Sequence, residues 1–223
     1  MESTQRKLSI AIVSWFLALY PAFAQGQDRG NVAAPAPQPL LIASTGGPGK
    51  SFEAFFAALR HMESRGDYKA VNTLNFIGAY QFGEAALVDL GYVRRDGDLY
   101  DNNYGGGFTG KNGIRSVQDF LNNPRVQDKA ARAWMKIMWR YIEAEKLSRY
   151  AWTRVGRVTL SPSGMLAATH LLGTGGLRQF IRSGGSNNIR DPYGMPILHY
   201  VEQLAGYEIP FAPEKPDVIA ALH

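Results

Sequence analysis

Glu63 is the side chain whose type and spacing could do chemistry. Phe52, Phe55, Phe56, Leu59 and Met62 recur at three- and four-residue intervals after Ser51, which predicts a helix capped by Ser51 and stopped by Gly66. At about 100° per residue, Glu63 falls roughly 20° from Phe52 and Phe56 and about 40° from Leu59. It therefore sits inside the apolar stripe, away from Glu53 and Arg60. A carboxyl placed there loses water and faces the negative end of the helix dipole, and both effects oppose ionisation. An acid that keeps its proton near neutral pH is what general-acid catalysis requires. The competing arrangement is a frayed helix end whose Glu63 turns to solvent or pairs with Arg65.

Other candidate chemistries are weaker. Ser44-Thr45-Gly46-Gly47-Pro48-Gly49-Lys50-Ser51 follows an apolar run and resembles a phosphate loop, but Ser44 stands where the first glycine is needed. Helices rather than alternating βα units follow it, so a Gly-Pro turn before a helix is the better account. Asp96, Asp98 and Asp101 cluster in one loop without the spacing or closing Glu of a calcium loop. His61, His170, His199 and His223 show no metal-ligand spacing, so no cofactor or metal is expected. A Gly-x-Ser-x-Gly elbow is absent, and the chain has no cysteine, which excludes disulfides and thiol nucleophiles.

The elements that must position Glu63 are mainly helical. Tyr68 to Phe82 lacks a helical period and is rich in Asn, Thr and aromatics, which predicts a small hairpin or extended loop. A short helix is expected over Glu84 to Leu90, and Asp96 to Gly113 is a Gly- and Asn-rich loop. The strongest helix runs from Pro124 to about Leu147, capped by Asn123, with Val126, Ala130, Ala133, Trp134, Ile137, Met138 and Tyr141 as its apolar stripe. Ser161-Pro162 opens another that ends at Gly173. Leu177, Phe180 and Ile181 mark one more, and Pro196 opens the last, carrying Leu198, Val201 and Leu204. The fold class expected is mainly α with a small β-hairpin after the first helix.

The composition suits one exported domain. The 223 residues are 45% hydrophobic and 19% charged, enough for a sizeable core. Arg6 and Lys7, the apolar run Leu8 to Tyr20 and Ala22-Phe23-Ala24 read as a cleavable export signal over residues 1–24. The run is shorter than the roughly 20 residues that span a bilayer, so no stable membrane insertion is expected after cleavage. Residues 25–50 read as a flexible lead-in, 51–207 as the domain and 208–223 as a Pro-rich tail. The net charge of +5, scattered along the chain, does not point to nucleic acid but suits a polyanionic surface. A periplasmic or secreted protein is expected.

Beyond Glu63-Ser64, Gly78-Ala79-Tyr80-Gln81 follows across the expected hairpin, and Gly164 to Gly173 is a small-residue helix carrying His170. This order resembles the lysozyme-like superfamily, in particular bacterial lytic transglycosylases and related periplasmic muramidases, over roughly Phe52 to Tyr207. The resemblance implies a lysozyme-like domain that cuts the β-1,4 bond between N-acetylmuramic acid and N-acetylglucosamine, with Glu63 as catalytic acid. It implies that Ser64 supports that acid or a sugar, and that Gly78, Tyr80 and Gln81 form the wall that binds substrate. His170 stands near the place where many members carry Tyr-Asn, a departure that leaves either an imidazole contact to a sugar or a packed helix residue. No acidic residue lies between Tyr68 and Gly83, where some lysozymes place an Asp; Asn72, Thr73 and Asn75 are there instead. A single acid fits the transglycosylase route, whereas a water held by Asn72 or Thr73, or Asp67 or Asp89 folding inward, would fit hydrolysis. The implied partner is the peptidoglycan glycan strand. The alternative in another class is a non-catalytic peptidoglycan-binding or secretion-apparatus scaffold working with an envelope-spanning secretion machine.

Overall fold

A computed structural model describes residues 50–216. The expected export signal, nearly all of the lead-in, Ser44 to Gly49 of the candidate phosphate loop, and the end of the tail from 217 lie outside the described residues. The described chain is mainly α. Its helices are α1 (Phe52–Ser64), α2 (Glu84–Asp89), α3 (Val117–Leu121), α4 (Pro124–Ala144), α5 (Pro162–Arg182) and α6 (Ile197–Gln203). One antiparallel hairpin, β1 (Arg154–Val155) with β2 (Val158–Thr159), lies between α4 and α5.

That position corrects the expected β insertion. The segment after α1 forms only isolated bridges, Val71 with Ile77 and Ile77 with Phe82. Side chains take over the backbone groups that a ladder would have paired. Asn72 Oδ1 accepts from Leu74 and Phe76 amides at 2.9 and 3.0 Å. Asn102 Nδ2 donates to Leu74 O at 2.9 Å, and the Tyr104 hydroxyl donates to Asn75 O at 2.7 Å. The 72–76 loop is thus held from behind by the Gly- and Asn-rich loop.

The helix ends follow the sequence closely. Ser51 Oγ accepts from the Ala54 amide at 3.2 Å, and Arg65, left-handed at φ 56°, closes α1. The Arg65 and Gly66 amides then bond the His61 and Arg60 carbonyls at 3.0 and 3.1 Å, so the carbonyls of the last turn are not left bare. Asn123 Oδ1 accepts from the Val126 amide at 3.2 Å, and Pro124 occupies the first turn of α4. The face of α4 is the part that differs. Gln127, Ala131, Met135, Met138, Trp139 and Ile142 are buried, while Ala133 is exposed and Trp134, Ile137 and Tyr141 are half-buried. The stripe is rotated by nearly one residue step, on the order of 80°. Gln127 supplies the reason: fully buried, it accepts from the Ala79 amide at 2.8 Å and donates to Tyr68 O and Phe120 O at 2.9 Å. A polar side chain that serves three backbone groups at once fixes the helix rotation more firmly than apolar count does.

α5 is continuous in extent but breaks at Leu172 (φ −134°) and Gly173 (φ 66°, ψ 178°), so the two helices expected there are its two halves. α6 packs on α5 through Ile197, Tyr200, Val201 and Leu204. Chain beyond Tyr207 also packs. Ile209 is buried, the Phe211 ring sits 5.7 Å from Phe52, and Trp152 Nε1 donates to Pro213 O at 2.8 Å. Lys50 Nζ donates to Ala205 O at 2.8 Å, so the lysine of the candidate phosphate loop closes the end of α6.

Gly78 is the tightest point near Glu63. Its φ is +78°, and a Cβ built there would lie 2.3 Å from Gln127 Oε1. Gly78→Ala should therefore cost about 1–3 kcal/mol in stability, read by denaturant unfolding. Gly66→Ala, also at positive φ but with no atom within 4 Å of the added Cβ, should cost less.

Candidate active site

Glu63 sits in the last turn of α1, and α5 and α6 each bring a polar group to it. Its Oε1 accepts a hydrogen bond from the Tyr200 hydroxyl of α6 at 2.9 Å, and His170 Nε2 of α5 lies 3.5 Å from the same oxygen. The Glu63 side chain is 11% exposed. Its second oxygen, Oε2, has no hydrogen-bond partner among the described residues. One oxygen is thus held by the protein and the other has no such partner.

Burial pushes the Glu63 carboxyl up to about 8, partly offset by the Tyr200 hydrogen bond and reinforced by the negative charge of Asp191. Burial pulls the His170 imidazole down to about 4, opposed by its bond to the Tyr80 carbonyl. The carbonyl accepts at 3.0 Å, so Nε2 carries the ring proton and Nδ1 is left as a buried lone pair with no partner. Between about pH 4 and 8 both groups are neutral, and their 3.5 Å contact is not an ion pair. Tyr200 is pushed upward by its own burial and by Glu63, and donates its proton throughout this range.

The other residues singled out in the sequence form the frame of this site. Ser64 Oγ donates to Ala79 O at 3.0 Å, tying the end of α1 to the Gly78–Gln81 turn. Tyr80 is 1% exposed; its hydroxyl accepts from Arg60 at 2.8 Å and donates to Asp128 at 2.7 Å. Its backbone carbonyl is what serves the site, by holding His170. Gln81 Nε2 donates to Gly78 O at 2.9 Å and closes the turn. His170, only 7% exposed at its side chain, spans α5 and this turn as an internal pin. Direct contact with a sugar is therefore not what the Tyr80 and His170 side chains offer; they position the groups around Glu63.

Three residues were missed by sequence reasoning. Tyr200 lies in the stripe Ile197, Tyr200, Val201, Leu204, where a tyrosine among aliphatic residues signals a buried ring whose hydroxyl needs a partner. Gln127 gave the same kind of signal, an amide between Val126 and Ala130. Asp191 is the carboxylate whose charge acts on both Glu63 and Tyr200; no local pattern marks it. Asp67 instead accepts from the Lys69 amide at 2.8 Å within its own turn. Asp89 accepts from the Tyr141 hydroxyl at 2.8 Å on α4. Neither carboxylate acts on Glu63.

Among the described residues no group of three or more His, Asp or Glu side chains is placed to hold a metal ion. A surface depression of about 450 Å³ lined by Arg149, Tyr150, Arg154 and Ile181 shares no residue with the Glu63 site. Among the described residues no helix is long and apolar enough to cross a membrane. Comparison with family models, curated proteins and solved structures finds no match to this chain.

Two measurements test these electrostatics. A carbon-13 carboxyl titration should place Glu63 near 8, higher in Tyr200→Phe, which loses the bond to the carboxylate, and lower in Asp191→Asn, which loses a repelling charge. Stability should also depend on pH through the pair. Glu63, raised from an ordinary 4.5, contributes fully below about 4.5 and loses that contribution as pH climbs through about 8. His170, lowered from 6.5, contributes above 6.5 and loses it as pH falls through about 4. Thermal melts of Glu63→Gln should accordingly decline less than wild type between pH 6.5 and 8.

Proposed function

We propose that the protein cleaves peptidoglycan glycan strands at the β-1,4 bond between N-acetylmuramic acid and N-acetylglucosamine, with Glu63 as general acid and then base. The observation that carries this reading is the Glu63 carboxyl itself: 11% exposed, raised to about 8, and held at one oxygen by Tyr200. The order Glu63-Ser64, Gly78 to Gln81 and the small-residue first half of α5 adds to it. In the structure these three pieces meet through Ser64 to Ala79 O and His170 to Tyr80 O. On this proposal the mainly α domain is a lysozyme-like one.

The protonated Oε2 donates to the glycosidic oxygen as the bond to the leaving sugar breaks, and positive charge develops at the ring carbon. Glu63 is then a carboxylate in a water-poor setting, which burial disfavours. The carboxylate recovers a proton from the nearest hydroxyl. On the single-acid route that is the sugar's own 6-hydroxyl, whose oxygen closes on the ring carbon to give an anhydro end, and Asp67 and Asp89, which would suit hydrolysis, are bonded elsewhere. This favours a lytic transglycosylase over a hydrolytic lysozyme. The setting is the periplasm or the exterior, the substrate is the glycan strand, and no cofactor takes part.

Glu63→Gln keeps the shape but cannot donate the proton, so clearing of a peptidoglycan suspension should fall by about 100- to 10,000-fold. Wild-type activity should decline above about pH 8 as Glu63 ionises. Mass spectrometry of the digest should show anhydro ends. Reducing ends would indicate hydrolysis. Equal failure of wild type and Glu63→Gln to release fragments would instead favour the non-catalytic peptidoglycan-binding or secretion-apparatus scaffold.

A further inference from the structure

Glu84, at the start of α2, is a carboxyl buried under the Asp- and Gly-rich loop, with 0% of its surface exposed. Its Oε2 accepts from the Tyr104 amide at 2.7 Å. Its Oε1 is sealed from solvent and has no hydrogen-bond partner. A buried carboxylate oxygen in that state is costly, and a positive species beside it removes the cost. Among the described residues no lysine or arginine pairs with Glu84.

What faces Glu84 is more oxygen. Asp96 stands within hydrogen-bonding reach of the Glu84 carboxyl, which burial, and then the charges of Asp96 and Asp101, hold above its ordinary range. Asp96 Oδ1 accepts from the Asp98 amide at 3.1 Å. Asp96 Oδ2 and Asn103 Oδ1 lie 2.7 and 2.6 Å from the point where a Cβ on Gly105 would stand. The two oxygens thus converge on a spot that glycine keeps open. Asp101 accepts from the Asn103 backbone amide at 3.0 Å and from its side-chain amide at 2.5 Å, which leaves the Asn103 oxygen to point away from Asp101. A proton bridges two oxygens. A set of three, one of them an amide carbonyl that never ionises, is a donor set for a hard cation.

We infer that Glu84, Asp96 and Asn103 form a calcium site, with backbone carbonyls and water completing the coordination. Two carboxylates and one amide oxygen are fewer acids than mark a metal centre by themselves, and calcium accepts such mixed oxygen sets. The ligands come from a helix and two points of an irregular glycine-rich loop, a flexible arrangement that suits calcium better than octahedral magnesium. Glu84 thereby supplies, from outside the loop, the closing carboxylate that the loop's own sequence lacks. Asn102 and Tyr104 of the same loop hold the 72–76 loop, so the ion fastens α2 to that wall. The site stands apart from Glu63 and does not depend on the glycan reading.

Thermal melts and calorimetric titration of the full chain test it. At about 10 mM calcium chloride the melting temperature should rise by about 3–6 °C over the chain in chelator. Magnesium should give a smaller shift, and sodium chloride of equal ionic strength none. Titration should show one calcium per chain with a Kd of about 0.1–1 mM. Asp96→Asn should melt no lower than wild type in chelator, because its amide can donate to Glu84 Oε1, and should lose the calcium shift. Glu84→Gln should lose the shift as well, whereas Asp98→Asn should keep it. Absence of both a calcium shift and binding heat would overturn the site and leave a proton shared between Glu84 and Asp96. A calcium shift that survives Asp96→Asn and Glu84→Gln would overturn it by placing the ion elsewhere, and an equal shift with magnesium would overturn the assignment to calcium.

Discussion

The structure around the site depends on keeping one carboxyl out of water. The last turn of α1 places Glu63 inside the core face, and the surrounding groups tolerate an acid there without ionising it. Tyr200 donates to one oxygen, His170 presents a neutral ring, and among the described residues no lysine or arginine lies within ion-pairing distance. A lysine or arginine at the same place would have held the carboxylate charged. The frame behind these groups is correspondingly stiff. Gln127 binds three backbone groups, Gly78 leaves no room for a side chain, and Ser64 fastens the end of α1 to the turn that holds His170.

Much of this was legible in the sequence, for identifiable reasons. Helix boundaries followed from local chemistry: a serine, an asparagine and a proline at starts, and Gly66 just past the end of α1. Glu63 stood out because a 3.6-residue period makes one misplaced charge visible. The rotation of α4 did not follow, because its apolar residues are spread widely and the deciding contact is made by Gln127 to residues 48 and 59 positions away. The hairpin after α1 was wrong for a related reason. Asparagine side chains satisfied the backbone there, and residue type alone does not say whether such groups will pair with a strand or with a side chain.

The functional roles of individual side chains were less legible than their locations. His170 lies 3.5 Å from Glu63 and bonds the Tyr80 carbonyl, so Tyr80 contributes its carbonyl and His170 its rigidity. A motif records that a residue type is needed at a position, and backbone atoms at that position are invisible in it. Asp191 could not have been found locally at all. Its closeness to Glu63 arises only because α6 folds back on α5 and carries the loop before it along.

The Glu208 amide donates to Lys50 O at 2.7 Å, and Phe211 rests on Phe52, so the first and last described stretches run side by side. Tension between residues 50 and 216 would consequently be carried by this seam before anything else. The seam would peel from its outer edge, one backbone bond and one ring contact at a time, while the acid and its three supporting elements bore no load. A chain tugged by its extremities would fray at this corner first and keep the surroundings of Glu63 intact.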